Sequence, residues 1–180
     1  MTLRALVARA GTSTMAVYTH FGGFDGLWRA VRQEGFRRLA ERLARVQLSD
    51  DAVRDLMALG AAYVDNALSH PYLYRTMFDA ASDLEDPAQA DDQFQALVRC
   101  AERARRTGRF APTVDAQTIA TELWAVGHGF TALVLTGVLP REILASHVLD
   151  LAGALFVASG DDPARCRSSI EAGWAAESSL

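Results

Sequence analysis

The chain has 180 residues, half of them apolar, with a net charge of −4 and no Lys among its 18 basic residues. It is long enough for one medium domain, or one domain with a small appendage, and too apolar for a disordered chain. No run of about 18 apolar residues marks a membrane span, no apolar stretch follows Arg4 and Arg9 as in a secretory leader, and Cys100 and Cys166 lack metal-ligand spacing; a reduced, cytoplasmic setting is the expectation.

Charge is unevenly placed. Residues 1–47 carry eight Arg against Asp25, Glu34 and Glu41, a net +5, and the remainder carries ten Arg against 19 acidic residues, a net −9. A basic N-terminal part on an acidic body suits a small polyanion-binding module.

In chain order the sequence predicts helices throughout and no strand, because no alternating run is bounded by turn residues. Leu3, Leu6, Val7 and Ala10 follow helical spacing, with Thr2 as N-cap and Gly11 as the stop. Ser13 caps a second short helix that buries Val17 and Phe21 and turns Thr14, Met15, Tyr18 and Thr19 outward. Gly22-Gly23 ends it. A long helix begins at Asp25 and carries Leu27, Val31, Leu39, Leu43 and Val46 to near Leu48. The next opens at Ser49 or Asp50, sets Val53, Leu56, Met57, Ala61, Val64 and Leu68 on one side, and stops at Pro71. Residues 72–80 read as one short helix, SDLEDPAQ (82–89) as a solvated turn, and 90–107 as a helix stopped by Gly108. Asp115 caps DAQTIATELWAVGHGFTALVLTG, in which Ile119, Leu123, Val126, Phe130 and Leu133 form a sustained stripe. The last strong helix runs from Pro140 to near Ser159. Beyond Gly160, only Cys166, Ile170 and Trp174, spaced by four, suggest a weak helix.

Two short helices joined by a Gly-containing turn form a helix-turn-helix pattern, in which the second helix enters the DNA major groove and the first braces it. The side chains suit that task. Thr14 and Met15 sit near the helix start, where base edges are reached. Ala16 permits close approach, and Met or Ala can meet a thymine methyl. Tyr18, Thr19 and His20 can hydrogen-bond phosphates, and the helix N-terminus at Ser13 points N–H groups at an anion. The spacing alone also occurs in ordinary helical bundles.

The stretch TLRALVARAGTSTMAVYTHFGGFDGLWRAV closely resembles the DNA-binding region of TetR-family transcriptional regulators, matching at Thr2, Arg4, Leu6, Ala10, Gly11, Ser13, Val17, Tyr18, His20, Phe21, Gly22, Asp25 and Leu27. The resemblance implies DNA contacts from Thr2, Arg4, Ser13, Thr14, Met15, Ala16, Tyr18, Thr19 and His20. Phe24 stands where the family commonly has a phosphate-touching Lys, Thr12 replaces a usual Val, and Met15 stands where Gly is frequent, which alters base preference. Family members carry a further helix before Thr2 that packs across this pair. Without it Leu6, Val17 and Phe21 are expected to lose a packing partner and leave apolar surface open; a start assigned too late, or a true truncation, is the expected explanation.

Residues 48–180 are similar to the regulatory domain of the same family. HPYLYRTMF, the segment ending in RTGRF, and ELWAVGHGFTALVLTGVLP resemble a subgroup with a Trp-His-Gly signature, here Trp124, His128 and Gly129. This implies an effector pocket between helices, with Tyr74, Met77, Phe78, Phe94, Leu97, Trp124 and His128 as candidate lining. It also implies a homodimer built on the last two long helices. Ile119, Leu123, Val126 and Phe130, with small Gly127, Gly129 and Ala132, suit such an interface, as do Leu144, Val148, Leu151 and Leu155. A twofold dimer matches a palindromic double-stranded operator. His128 reads first as a packing or interhelical hydrogen-bonding residue and second as a ligand contact. Tyr63 and Tyr72 read as core, and His147 as interface or surface. Arg103, Arg105, Arg106 and Arg109 read as a solvated helix end.

The expectation is an all-α chain: an incomplete three-helix DNA-binding domain over residues 1–47, joined to a helical-bundle regulatory and dimerisation domain over 48–180. Its function would be that of a ligand-responsive regulator, most often a repressor in this family, with operator DNA and a small-molecule effector as partners. The alternative is a dimeric small-molecule-binding protein that has lost DNA binding. No cofactor, metal or membrane is expected, and no constellation of residues supports an enzyme.

Overall fold

The computed structural model describes residues 2–78 and 87–178, with side chains of the second stretch described from Asp91 onward. Among the described residues every regular element is a helix: α1 (Leu3–Arg9), α2 (Thr14–Phe21), α3 (Phe24–Ala44), α4 (Ala52–Ser69), α5 (Pro71–Met77), α6 (Pro87–Arg106), α7 (Ala116–Leu135), α8 (Ile143–Ala158) and α9 (Pro163–Glu177). The first two begin as the sequence predicts. Thr2 Oγ1 accepts from the Ala5 N–H and Ser13 Oγ from the Ala16 N–H. Gly22, at φ 71°, turns the chain out of α2 through the left-handed region that favours glycine.

The centre of the molecule is α4. Its N-cap Asp51 accepts from the Val53 and Arg54 N–H groups, and it is buried on nearly every face, from Val53 and Leu56 to Val64 and Ala67. An all-round apolar helix of this kind must be enclosed by others. α6 and α7 pack on it, and α9 lies along it. The C-terminal segment is therefore a full helix rather than a weak one. It buries Cys166, Ser169, Ile170, Gly173 and Trp174. Gly173 sits so close to α4 that a Cβ there would overlap the carbonyl oxygen of Arg54. A narrow face of small residues suffices for such an approach, which is why the apolar pattern of α9 is faint.

Two buried ionic clusters hold one end of this bundle. Arg109, only 3% exposed, donates through Nε and Nη2 to both carboxylate oxygens of Asp161 at 2.6 and 2.7 Å, through Nη1 to Asp51 Oδ1 at 2.6 Å, and to Ser169 Oγ. Asp55, fully buried, accepts from the Ser49 N–H and hydroxyl, and from Arg103 Nη1 at 2.9 Å. Arg103 and Arg109 are thus structural anchors rather than a solvated helix end. A guanidinium that satisfies two carboxylates explains how these charges tolerate burial.

The eight residues predicted for the interface divide by burial. Ile119, Leu123, Leu144 and Val148 are buried in the chain's own core, where α7 and α8 meet α4 and α6, so they do not lie on an outward face. Val126, Phe130 and Leu155 are half-buried and Leu151 is exposed. The outward side of α7 and α8 also carries the exposed Leu133 and Val157, beside Leu151. By length and composition α7 would pass for a membrane span, but its inner face is packed into this core.

Smaller differences concern boundaries. α3 ends at Ala44 rather than near Leu48, α6 starts at Pro87, and α8 starts at Ile143 after a turn at Pro140. α5 begins with Pro71 at its first position, as a fixed φ favours. The predicted turn 82–89 lies largely outside the described residues. Phe21 and Tyr72, expected in the core, are exposed. With Leu6, Val7, Val17, Leu27, Trp28 and Val31, they border an apolar groove of about 590 Å³ between the helix pair, α3 and α5.

Replacing Arg109 with Met leaves Asp161 and Asp51 without their buried partner, and is expected to lower stability by about 3–5 kcal/mol. Urea unfolding of the two proteins measures it; a change below about 1 kcal/mol would show that the cluster does not hold this end of the fold.

Candidate functional site

Two features could act on partners, and both touch α3. The first is the helix pair at its start. α2 is held by Val17, buried near Val7, and projects the rest of its length outward. Met15 is 72% exposed and Tyr18 60%, Thr19 and His20 are open to solvent, and Thr14 and Ala16 are half-buried. Arg4 is exposed on α1, while the Thr2 and Ser13 hydroxyls serve as helix caps. The Tyr18 ring lies over Gly23, where a Cβ would sit 3.3 Å from its edge. Phe24, in place of a phosphate-touching Lys, stacks on Trp28 with ring centroids 5.7 Å apart.

The second feature is a cavity of about 450 Å³ enclosed by α3, α4, the end of α5, α6 and α7. α3 contributes Phe36, Leu39 and Leu43, and α4 contributes Met57, Leu59, Gly60 and Tyr63. Met77 and Phe78, Phe94 and Leu97, and Leu123, Trp124 and Gly127 complete most of the wall. Of the residues proposed from sequence, Met77, Phe78, Phe94, Leu97 and Trp124 are therefore on the lining; Tyr74 and His128 are not.

Those two belong to a polar trio beside the cavity, whose member on the lining is Tyr63. The Tyr74 hydroxyl lies 2.7 Å from His128 Nδ1, the Tyr63 hydroxyl 2.9 Å from the same nitrogen, and the two hydroxyls 3.1 Å apart. Burial pushes the Tyr74 phenol up to about 12 and pushes Tyr63 up as well, so both keep their protons. Burial also holds His128 below its ordinary value, so the ring is neutral. A neutral Nδ1 has one lone pair. The consistent arrangement is a chain in which Tyr63 donates to Tyr74, Tyr74 donates to Nδ1, and the imidazole proton resides on Nε2. The trio ties α4, α5 and α7 together.

The wall also ties α3 to the end of α5. Arg32 of α3 lines the cavity and donates from Nε to the Met77 carbonyl at the end of α5, 2.8 Å away. Sequence reasoning missed Arg32, Gly60, Tyr63 and Gly127 as lining residues; Gly127 had been read as a helix-contact residue. The available signal was a glycine inside each of two strongly helical segments, which helix propensity disfavours.

Because folding lowers the proton affinity of His128, the unfolded chain takes up its proton first as pH falls. The contribution of the neutral ring is intact above 6.5, the ordinary value, and shrinks as pH drops below it. The melting temperature should fall more steeply below that pH in the wild type than in His128→Gln; parallel profiles would contradict a buried neutral ring.

Residues 56–156 match the family model described as Tetracyclin repressor-like, C-terminal domain. The chain is 28% identical, over 153 aligned positions, to the Uncharacterized HTH-type transcriptional regulator Rv0681 of Mycobacterium tuberculosis; the match covers 77% of this chain and spans 63% of that relative's length. A structure of a protein with unknown function from Rhodococcus sp. RHA1 superimposes with a TM-score of 0.72 at 27% identity, covering 89% of this chain and 86% of that one. Two more distant structures share the fold. A gamma-butyrolactone receptor (ArpA like protein) gives a TM-score of 0.73 at 17% identity, covering 98% and 86% of the two chains. The TetR regulator TylP of Streptomyces fradiae gives 0.66 at 19%, covering 92% and 79%. With its helix-turn-helix pair, its nine-helix order among the described residues and a family match over more than half its length, the chain belongs to the TetR family of transcriptional regulators.

Proposed function

We propose that the chain is a small-molecule-responsive repressor that binds a palindromic operator as a homodimer and leaves it when its cavity is filled. The observation that carries this reading is that one helix serves both features: α3 supplies a wall of the cavity through Phe36, Leu39 and Leu43 and, a few turns earlier, adjoins α2. Its 21 residues span about 31 Å, so a small rotation at the cavity displaces the helix pair. An effector shifts the balance only by its differential affinity for the two conformers, and coupling of about 1–3 kcal/mol would change operator affinity about 5–150-fold.

The outward apolar side of α7 and α8, with Leu133, Leu151 and Val157, supports pairing with a second copy. α2 carries neither Arg, Asn nor Gln, the side chains that read bases bidentately. Met15, Ala16 and the Thr hydroxyls would then read thymine methyls and single acceptors, while Tyr18 and His20 face phosphates. Among the structural neighbours, the protein described as a gamma-butyrolactone receptor is an example of this fold in a small-molecule receptor.

Selection from a random DNA pool tests the proposal. The purified protein should enrich a palindrome with half-sites about 34–36 Å apart, or a multiple of that, and lose affinity steeply with salt. Met15→Ala should change the preferred base at one position of each half-site. Enrichment of no sequence would overturn operator binding and leave the reading of a dimeric small-molecule-binding protein.

A further inference from the structure

Gly60 of α4 and Gly127 of α7 both line the cavity, and at each a Cβ would meet no atom within 4 Å. Each is a helix-interior glycine, a choice that costs roughly 1 kcal/mol relative to Ala. Each also withholds volume from a space whose walls lack packing partners. A core selected for stability alone would place Ala or a larger residue at both. The cavity is thus wider because a helix on each of two walls omits a side chain there.

The wall around that space defines what can fill it. Phe36, Phe78, Phe94 and Trp124 present aromatic surface, with the Phe78 and Phe94 ring centroids 6.2 and 6.3 Å from that of Trp124. Three polar lining groups already have partners. Gln93 Nε2 donates to the Phe36 carbonyl at 2.7 Å, the Thr121 hydroxyl to the Gln117 carbonyl at 2.8 Å, and the Tyr63 hydroxyl to Tyr74. Of the charged lining residues, Arg32 is held by the Met77 carbonyl and Asp91 is exposed to solvent. An ionic guest would lose its hydration against a mostly aromatic and aliphatic wall, where the charged lining groups, Arg32 and Asp91, are half-buried and exposed rather than enclosed.

We infer that the cavity is a binding site for a neutral, ring-bearing, largely apolar small molecule, admitted by the paired absence of side chains at Gly60 and Gly127. The inference rests on the regulator reading for its consequence on DNA, and on the cavity alone for binding. Aromatic walls accept a flat ring by offset or edge contacts.

Two dyes that differ by one sulfonate test it on the whole protein: neutral N-phenyl-1-naphthylamine and anionic 8-anilinonaphthalene-1-sulfonate, followed by fluorescence titration. The neutral dye should bind saturably and about tenfold or more tightly than the anion. Gly60→Leu and, separately, Gly127→Val should weaken the neutral dye about tenfold while the melting temperature holds or rises. Should either larger substitution fail to fold, Gly60→Ala and Gly127→Ala replace it, each expected to raise the melting temperature and still weaken the dye. Equal affinity for the two dyes, lost together in the variants, would overturn the neutral class. Neutral-dye binding unchanged in folded variants would overturn the cavity as the site. DNA selection on the same preparations separates the two proposals: dye binding without an enriched sequence sinks the regulator reading and leaves this inference standing.

Discussion

The arrangement of the bundle depends on one guanidinium. Arg109, at the turn after α6, joins the N-cap of α4 through Asp51, the turn between α8 and α9 through Asp161, and α9 through Ser169. Four parts of the chain, far apart in sequence, are thereby fixed in register at one end. Its net contribution to stability is smaller than its geometry suggests, because the charges had to leave water. The same three contacts fix the relative register of the segments they join. Beside it, Arg103 and Asp55 repeat the device one turn further along α4.

With that end closed by charge and by the close approach of Gly173, the core can be left incomplete elsewhere. The cavity begins along α4 at Met57 and continues to Tyr63, about 9–18 Å of helical rise beyond Asp51. A hole near the clamp would weaken the contacts that organise the fold. Placed further along, it borders α3 and α5, whose mutual contact includes the Arg32 bond to the Met77 carbonyl and the close seat of Gly35 against the Met77 side chain. The tolerant end of the bundle is also the end that adjoins the helix pair.

Much of this was legible in the sequence, for identifiable reasons. The helix pair was readable because caps and glycine stops are local: Thr2 and Ser13 act on N–H groups three residues away. The helical course of α7 was readable from its sustained stripe, yet the stripe did not say which side faced the core. Ile119 and Leu123 face inward, and equally apolar Leu133 faces outward, because both sides of α7 are apolar and periodicity alone cannot rank them. α9 was faint because part of its buried face is made by Ser169 and Gly173, residues that carry no hydrophobic signal. Arg109 was misread for a related reason. Its neighbours in sequence are other arginines, while its partners lie 52 and 58 positions away. Gly60 and Gly127 open the cavity by what they lack, and only their place inside strongly helical segments marks them in the sequence.

The seat of Tyr18 over Gly23 has a consequence for how α2 can meet a partner. An exposed tyrosine ordinarily samples several rotamers, and a complex must suppress all but one. Here the bare Gly23 backbone, at φ 123°, gives the ring a resting place that any larger residue would obstruct. That contact narrows the positions open to the hydroxyl at the tip, so less freedom is left to lose when α2 meets a partner.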